Sequence, residues 1–137
     1  MKPINLTASE FEATIAKPGI VLLDFWAPWC APCRAFGPIF EKAAEAHPDL
    51  TFAKVNTEEQ DELAGSLGIS SIPTLMVFRD GILVFAQPGM LPSAALEELI
   101  RKVGELDMED VRRKVEQHKR DHDAEHDHGS AQAAANA

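Results

Sequence analysis

Residues 20–33 read Ile-Val-Leu-Leu-Asp-Phe-Trp-Ala-Pro-Trp-Cys-Ala-Pro-Cys, so that an apolar run leads directly into two cysteines three positions apart. A continuous apolar run, as opposed to an alternating one, is typical of a central strand covered on both faces. After the cysteines, apolar residues recur with helical spacing at Phe36, Ile39, Phe40, Ala43 and Ala44. This stretch therefore predicts a buried strand, a short loop and a helix that begins near the first cysteine.

The rest of residues 1–104 alternates between further predicted helices and strands. Thr7 and Glu10 have the spacing of a capping box and predict that a first helix begins there. Asp80-Gly81 is typical of a tight hairpin turn, and Pro38 is expected to kink the helix that contains it. Strands are predicted at 51–55, 74–78 and 82–85, and helices at 58–67 and 93–104. This order predicts an α/β fold in which helices flank a mixed central sheet.

The composition changes after Gly104. Residues 105–120 predict an additional amphipathic helix whose apolar stripe is narrow, consisting of Met108, Val111 and Val115. Residues 121–137 are rich in Asp, His and Ala and low in complexity, which predicts a disordered tail. We therefore expect one domain over 1–104, an added helix over 105–120 and a tail over 121–137.

The overall charge restricts the class of protein. The chain has 137 residues, with 22 acidic and 13 basic residues and a net charge of −9. Nucleic-acid binding requires a basic face, so we expect no nucleic-acid partner. No apolar run approaches the roughly 18 residues of a membrane span, and no apolar leader is visible at the N-terminus. The expected location is therefore cytoplasmic, without membrane attachment, and permanent disulfides are rare in that compartment.

Three interpretations of Cys30 and Cys33 compete. A structural zinc site needs four ligands, but the chain has no second cysteine pair, and four of its five histidines lie far away near the C-terminus. A structural disulfide across so short a loop contributes only about 2 kcal/mol in the chain-entropy model. The third interpretation is a redox-active dithiol, and the spacing favours it.

The predicted position of the cysteines suits redox chemistry. Cys30 would lie at a helix N-terminus, where unpaired N–H groups and the helix dipole favour a thiolate. Cys33 would lie one turn further along, close enough to form a disulfide with Cys30.

The chain also resembles the thioredoxin family over about residues 4–104. The matching elements are the active-site segment 24–33, Pro38, the third-strand pattern 53–56, the Ile72-Pro73-Thr74-Leu75 loop, the Asp80-Gly81 turn and Gly89. These elements occur in the family's order and spacing, which is far more specific than an isolated Cys-X-X-Cys motif. The resemblance implies a thioredoxin fold, with a mixed central sheet flanked by helices.

The resemblance implies four catalytic residues. Cys30 is the expected nucleophile, and Cys33 is the thiol that resolves the mixed disulfide. Asp24 lies within the predicted buried strand, where burial should raise its pKa, and the family implies that it accepts the proton of Cys33. Lys54 on the neighbouring strand would modulate Asp24. In the alternative interpretation, Asp24 is a structural carboxyl paired with the backbone or with Lys54.

The resemblance also implies a surface that binds the target protein. Its expected residues are Trp29, Ala31, Pro32, Ile72, Pro73 and Gly89. In this family the peptide bond before Pro73 is cis, which would set the Ile72 backbone beside the dithiol, ready to pair with an extended target segment. Trp26 is expected to pack beside the site and to take no part in the chemistry.

The implied function is protein-disulfide reduction by dithiol–disulfide exchange. The expected targets are disulfide-containing cytoplasmic proteins, and an NADPH-dependent flavoprotein thioredoxin reductase would regenerate the dithiol. We expect a monomer with no bound cofactor and no metal. The sequence departs from the family at Ala31-Pro32, where Gly-Pro is usual, and at Ser70-Ser71, where a basic residue and glycine are common. These differences bear on the redox potential and on the choice of partners.

Two other functions fit parts of the sequence. The chain could be a thioredoxin-like module that holds client proteins, with redox activity secondary. It could also handle metal through its C-terminal histidines, since imidazoles four positions apart on a helix can chelate a divalent ion. Those histidines are His118, His122, His126 and His128.

Overall fold

The computed structural model describes residues 2–128, and the chain divides at Gly104 into two compact units. In chain order, the elements are β1 (Ile4–Asn5), α1 (Ala8–Ile15), β2 (Ile20–Trp26), α2 (Ala31–Ala46), β3 (Thr51–Asn56), α3 (Asp61–Ser66), β4 (Thr74–Arg79), β5 (Ile82–Pro88), α4 (Ser93–Gly104) and α5 (Met108–His128). Within the described part of the chain, no helix combines the length and the apolar character needed to cross a bilayer.

A mixed five-stranded sheet forms the centre of the first unit, as predicted. Its strand order is β1-β3-β2-β4-β5, with β3 parallel to both β1 and β2, whereas the β2–β4 and β4–β5 pairs are antiparallel. β2 is the middle strand, and residues 20–25 are all buried. The apolar run is continuous because both faces of this strand are covered.

Helices cover the two faces of β2 with separate sets of side chains. Val21, Leu23 and Phe25 share a cluster with Phe11 of α1 and with Phe78, and the last two rings meet edge to face at 6.4 Å. The alternate residues of β2 face the other side, where α2 packs. There the Phe40 ring lies 5.2 Å from the Phe52 ring and 5.9 Å from the Phe36 ring.

The hairpin between β4 and β5 forms as predicted. Asp80 and Gly81 both adopt positive φ angles, 52° and 83°, which a two-residue hairpin of this type requires. Asp80 also ties the turn to the start of β2, since its amide donates to the Gly19 carbonyl and its carboxylate accepts from the Gly19 amide at 2.8 Å. The turn therefore fixes the register of β4 against both of its neighbours.

Two predictions about where helices begin were wrong, and one strand was missed. The Thr7 hydroxyl donates to the Glu10 carboxylate at 2.7 Å and caps no backbone amide of α1, so the capping box does not form. α3 begins at Asp61, not at residue 58, because the Asn56 side chain accepts from the Glu58 amide at 3.0 Å and holds a turn there. The short strand β1 was not predicted.

The helix of the second unit is longer than predicted. The sequence predicted its end at residue 120, whereas α5 continues to His128. Asp107 caps α5 by accepting from the amides of Glu109 and Asp110, and no glycine or proline interrupts the sequence before Gly129. Residues 129–137, the distal part of the predicted tail, lie outside the described residues.

The packing predicts that Phe40 contributes much more to stability than a half-buried phenylalanine. Phe40→Ala should lower the free energy of unfolding of the oxidised protein by about 3–5 kcal/mol, because it opens a cavity between α2 and the sheet. Phe85→Ala is the matched control, since Phe85 is only partly buried, and its loss should be markedly smaller. Urea unfolding measures both, and equal losses would contradict this account of the core.

Candidate active site

The two cysteines lie at the start of α2, just after the loop that follows β2. Cys30 occupies the N-cap of α2 and Cys33 its first turn, and the two form a disulfide with their Cα atoms 5.2 Å apart. Both are nearly buried, with exposures of 5% and 3%, whereas the neighbouring Trp29 side chain is 65% exposed. The reactive bond thus lies just beneath the surface, beside an exposed aromatic ring.

The start of α2 is electrostatically favourable for charge on Cys30. The Cys33 amide donates to Cys30 Sγ at 3.2 Å, in the position that a capping oxygen usually takes. The partial positive charge of a helix N-terminus stabilises an anion placed there. Ala31 and Pro32 occupy the first two helical positions, and proline is tolerated there because its missing N–H would have no partner within the helix.

The loop that precedes Cys30 is held by contacts that were not predicted. Arg34 donates from Nη1 to the Pro28 carbonyl at 3.0 Å, and the Cys30 amide donates to the Ala27 carbonyl at 3.2 Å. Ala27 is fully buried against the two sulfurs. In the sequence, the only indication of this contact is that a basic residue, Arg34, directly follows Cys33.

The Ile72–Pro73 loop lies against the disulfide. The peptide bond between these residues is cis, as the resemblance implies, and Cys30 Sγ lies 3.7 Å from the Ile72 carbonyl oxygen. The Gly89 amide donates to the Pro73 carbonyl at 2.8 Å, which brings Gly89 to the same place. Gly89 has a φ of 98°, a conformation that favours glycine. The structure therefore brings together Cys30, Ile72, Pro73 and Gly89.

Asp24 is a fully buried carboxyl in β2. Within the described part of the chain neither of its oxygens accepts a hydrogen bond, from the backbone or from Lys54. Burial raises the pKa of Asp24 from 3.8 to about 7, against the opposing attraction of Lys54. The carboxyl is thus poised to exchange a proton near neutral pH.

Lys54 connects Asp24 with the surroundings of the sulfurs. It is the register partner of Asp24 on β3, and its Nζ lies 4.5 Å from the centre of the Trp26 ring, a cation–π contact. Trp26 in turn packs on the cluster of Ala27, Cys30 and Cys33. The predicted packing role of Trp26 agrees with this position. His118, His122, His126 and His128 are on α5, in the second unit, and their metal binding stays an alternative that these contacts do not test.

Residues 2–102 match the model of the thioredoxin family. The chain is 56% identical over 112 residues to the protein named "Putative thioredoxin 2" of Streptomyces coelicolor, a match that covers 82% of this chain and 84% of that protein. It is 41% identical over 103 residues to thioredoxin of Bacillus subtilis, covering 74% of this chain and 98% of the relative.

Solved structures agree with these sequence matches. A thioredoxin mutant from Halobacterium salinarum superposes with a TM-score of 0.70 at 34% identity, covering 77% of this chain and 93% of that one. Oxidised mitochondrial thioredoxin 3 from Saccharomyces cerevisiae gives a TM-score of 0.66 at 31% identity, covering 73% and 94%. The first unit therefore has the thioredoxin fold that the sequence predicted.

The buried carboxyl predicts a specific dependence of stability on pH. Between about pH 4 and pH 7 the unfolded chain has released the Asp24 proton and the native protein retains it, so stability should fall as pH rises through this window. Asp24→Asn should therefore stabilise the oxidised protein at pH 8 by on the order of 3–4 kcal/mol and leave it nearly unchanged at pH 4.

Urea unfolding from pH 4 to pH 8 measures this difference. Asp49→Asn, at an exposed carboxyl, is the control and should leave the pH profile as it is in the unmodified protein. If Asp24→Asn lowers stability at pH 8, the account of an unpaired buried carboxyl is wrong.

Proposed function

The chain belongs to the thioredoxin family, and we propose that its dithiol–disulfide exchange runs in two steps through Cys30 and Cys33. The protein is a thiol–disulfide oxidoreductase, as members of this family are. The observation that carries the assignment of roles is the disulfide at the start of α2, with the Cys33 amide on Cys30 Sγ. This disulfide is the product of the reaction when the protein acts as a reductant.

In the first step, the Cys30 thiolate attacks one sulfur of the target disulfide. The target S–S bond breaks, its second sulfur leaves as a thiolate, and a mixed disulfide joins Cys30 to the target. Cys30 is assigned this role because it caps α2, where negative charge is favoured, and because it adjoins the exposed Trp29.

In the second step, Cys33 attacks Cys30 Sγ. A new Cys30–Cys33 bond forms, the mixed disulfide breaks, and the target is released with both of its sulfurs reduced. Cys33 must first lose its proton, and we assign Asp24 as the acceptor, because burial raises its pKa to about 7. Lys54, the register partner of Asp24, opposes that rise and so modulates the acceptor.

The target would bind as an extended segment beside Ile72. Ile72 precedes β4 and lies beyond the paired residues of the sheet, so an incoming chain can pair with its backbone. Trp29, Ala31 and Pro32 are exposed on one side of the disulfide, and Gly89 is exposed beside Pro73. These residues support a binding surface on both sides of the reactive bond.

The family implies disulfide-containing proteins and a thioredoxin reductase as partners. We assign the targets to the cytoplasm, and we assign regeneration to an NADPH-dependent flavoprotein reductase acting on a monomer of this chain. The exchange is assigned to residues 1–104, since residues 2–102 carry the family match and all the site residues. Residues 105–120 and 121–137 are then additions that the chemistry does not require.

The assigned roles predict that both cysteine variants lose turnover but that only one of them traps the target. Cys30→Ser should abolish the protein's acceleration of insulin-disulfide reduction by dithiothreitol or a reductase, because the thiol that attacks the target is lost. Cys33→Ser should also lose turnover but should accumulate a covalent adduct with the target, because the mixed disulfide is not resolved.

Nonreducing electrophoresis and intact mass measure the adduct, and the unmodified chain is the control, since it resolves the intermediate. An adduct formed by Cys30→Ser in place of Cys33→Ser would reverse the assigned roles.

A further inference from the structure

Two segments that flank the Ile72–Pro73 loop and Gly89 carry no charged residue. These are residues 63–78 and residues 81–96, although charged residues make up 26% of the chain. Together they contain the end of α3, the loop with the cis-proline, β4 up to Phe78, all of β5 and the loop that follows it. One side of the reactive disulfide is therefore bordered by a neutral surface in a chain whose net charge is −9.

A hollow of about 200 Å³ lies in this neutral surface. Its lining comes from the loop between α3 and β4 and from parts of β4 and β5, and includes Ile69, Ser70, Ser71, Thr74, Met76 and Gln87. Thr74 and Met76 are buried, whereas Ser70, Ser71 and Gln87 are exposed. The hollow thus has an apolar floor and a rim of uncharged polar side chains.

The size and chemistry of the hollow limit what it can bind. Pockets for small molecules and cofactors usually measure about 300–1,000 Å³, so this hollow is suited to a single side chain of a larger partner. None of its lining residues is charged, and an ionised group placed there would lose hydration without gaining a counter-charge. An uncharged side chain loses little hydration and gains contact with Ile69 and Met76.

The hollow lies beside the Ile72–Pro73 loop, because residues on both sides of that loop in the sequence, Ser71 and Thr74, line it. Its lining includes Ser70 and Ser71, and the next residue is Ile72, whose carbonyl oxygen lies 3.7 Å from Cys30 Sγ. A target cysteine bonded to Cys30 therefore lies close to Ile72. Side chains on the same face of an extended segment are spaced by about 7 Å, which is two residues along the chain. Ser70, on the rim of the hollow, is two residues before Ile72 in this chain. A target segment that runs alongside Ile72 can therefore place a side chain two positions from its cysteine at the hollow.

We propose that this hollow is a specificity subsite, which receives an uncharged side chain two positions from the reacting cysteine of the target. The proposal rests on the exchange mechanism given above and names a class of substrate for it. The protein reduces disulfides fastest when one side of the target cysteine carries an apolar or neutral residue at the second position. The effect is restricted to one side because the hollow lies on one side of the disulfide.

Disulfide-linked peptides test the proposal with the full-length reduced protein. Each peptide has a central cysteine in an Ala/Ser background, with Leu, Glu or Lys placed two positions before it or two positions after it. The measured quantity is the second-order rate constant for thiol release at low and at high salt. We expect Glu and Lys to lower it about fivefold or more relative to Leu on one side, and less than twofold on the other.

A variant of the rim separates contact from long-range charge effects. Gln87→Glu should lower the rate constant for the Leu peptide and raise it for the Lys peptide, relative to the unmodified protein. Gln60→Glu is the matched control, because Gln60 is not in the hollow and a glutamate can keep accepting the Ala8 amide as Gln60 does. It should leave the preference between the peptides unchanged.

Each outcome bears on the proposal. Rate constants that are the same for Leu, Glu and Lys at both positions would overturn the subsite, as would equal responses to Gln87→Glu and Gln60→Glu. If such a protein still reduces insulin and Cys33→Ser still traps targets, only the subsite is wrong and the two-step mechanism stands. If no peptide or insulin is reduced, the mechanism fails together with the subsite.

Discussion

The hydrogen bond from the Cys33 amide to Cys30 Sγ is the contact on which the chemistry depends. It exists because α2 begins at Cys30, so that the sulfur takes the place of a capping oxygen at a helix end whose amides lack partners within the helix. The central strand β2, which is buried on both faces, fixes the end of the sheet at which the following loop lies, and α2 begins at that end. The apolar run and the reactive thiol are thus parts of one structural arrangement.

The same strand also contains a group whose burial is unfavourable. Asp24 is buried with no hydrogen-bond donor for either oxygen within the described residues, a position that no requirement of packing explains. The apolar clusters on the two faces of β2 outweigh this cost. The result is a carboxyl whose pKa, about 7, suits proton exchange under physiological conditions, which an exposed aspartate would not provide.

Local signals accounted for most of the fold and for the reactive residues. The β2 run, the Cys-X-X-Cys at the head of a helix and the Asp80-Gly81 turn are each determined by neighbouring residues, and the sequence predicts them directly. β1 escaped prediction because its two residues show no periodicity and become a strand only by pairing with β3, about fifty residues away. α5 extends beyond its predicted end at residue 120 because its sequence contains no glycine or proline before Gly129.

The parts of the site that depend on residues far apart in the sequence could be identified only from the structure. Burial of Asp24 was predicted from the apolar run, but the absence of any bonding partner for it could be seen only once its neighbours were placed. The neutral hollow beside Ile72 likewise arises from segments that meet only in the folded chain. The isomer at Pro73 followed from the family resemblance, since the residues themselves allow both.

The most direct test of the central claim is the rate of alkylation of each cysteine in the fully reduced, full-length protein as a function of pH. The account predicts that Cys30 reacts with iodoacetamide at pH values where an ordinary cysteine, which titrates near pH 8.5, is still protonated, and that Cys33 reacts far more slowly. Equal rates for the two cysteines, rising only where an ordinary thiol ionises, would contradict it.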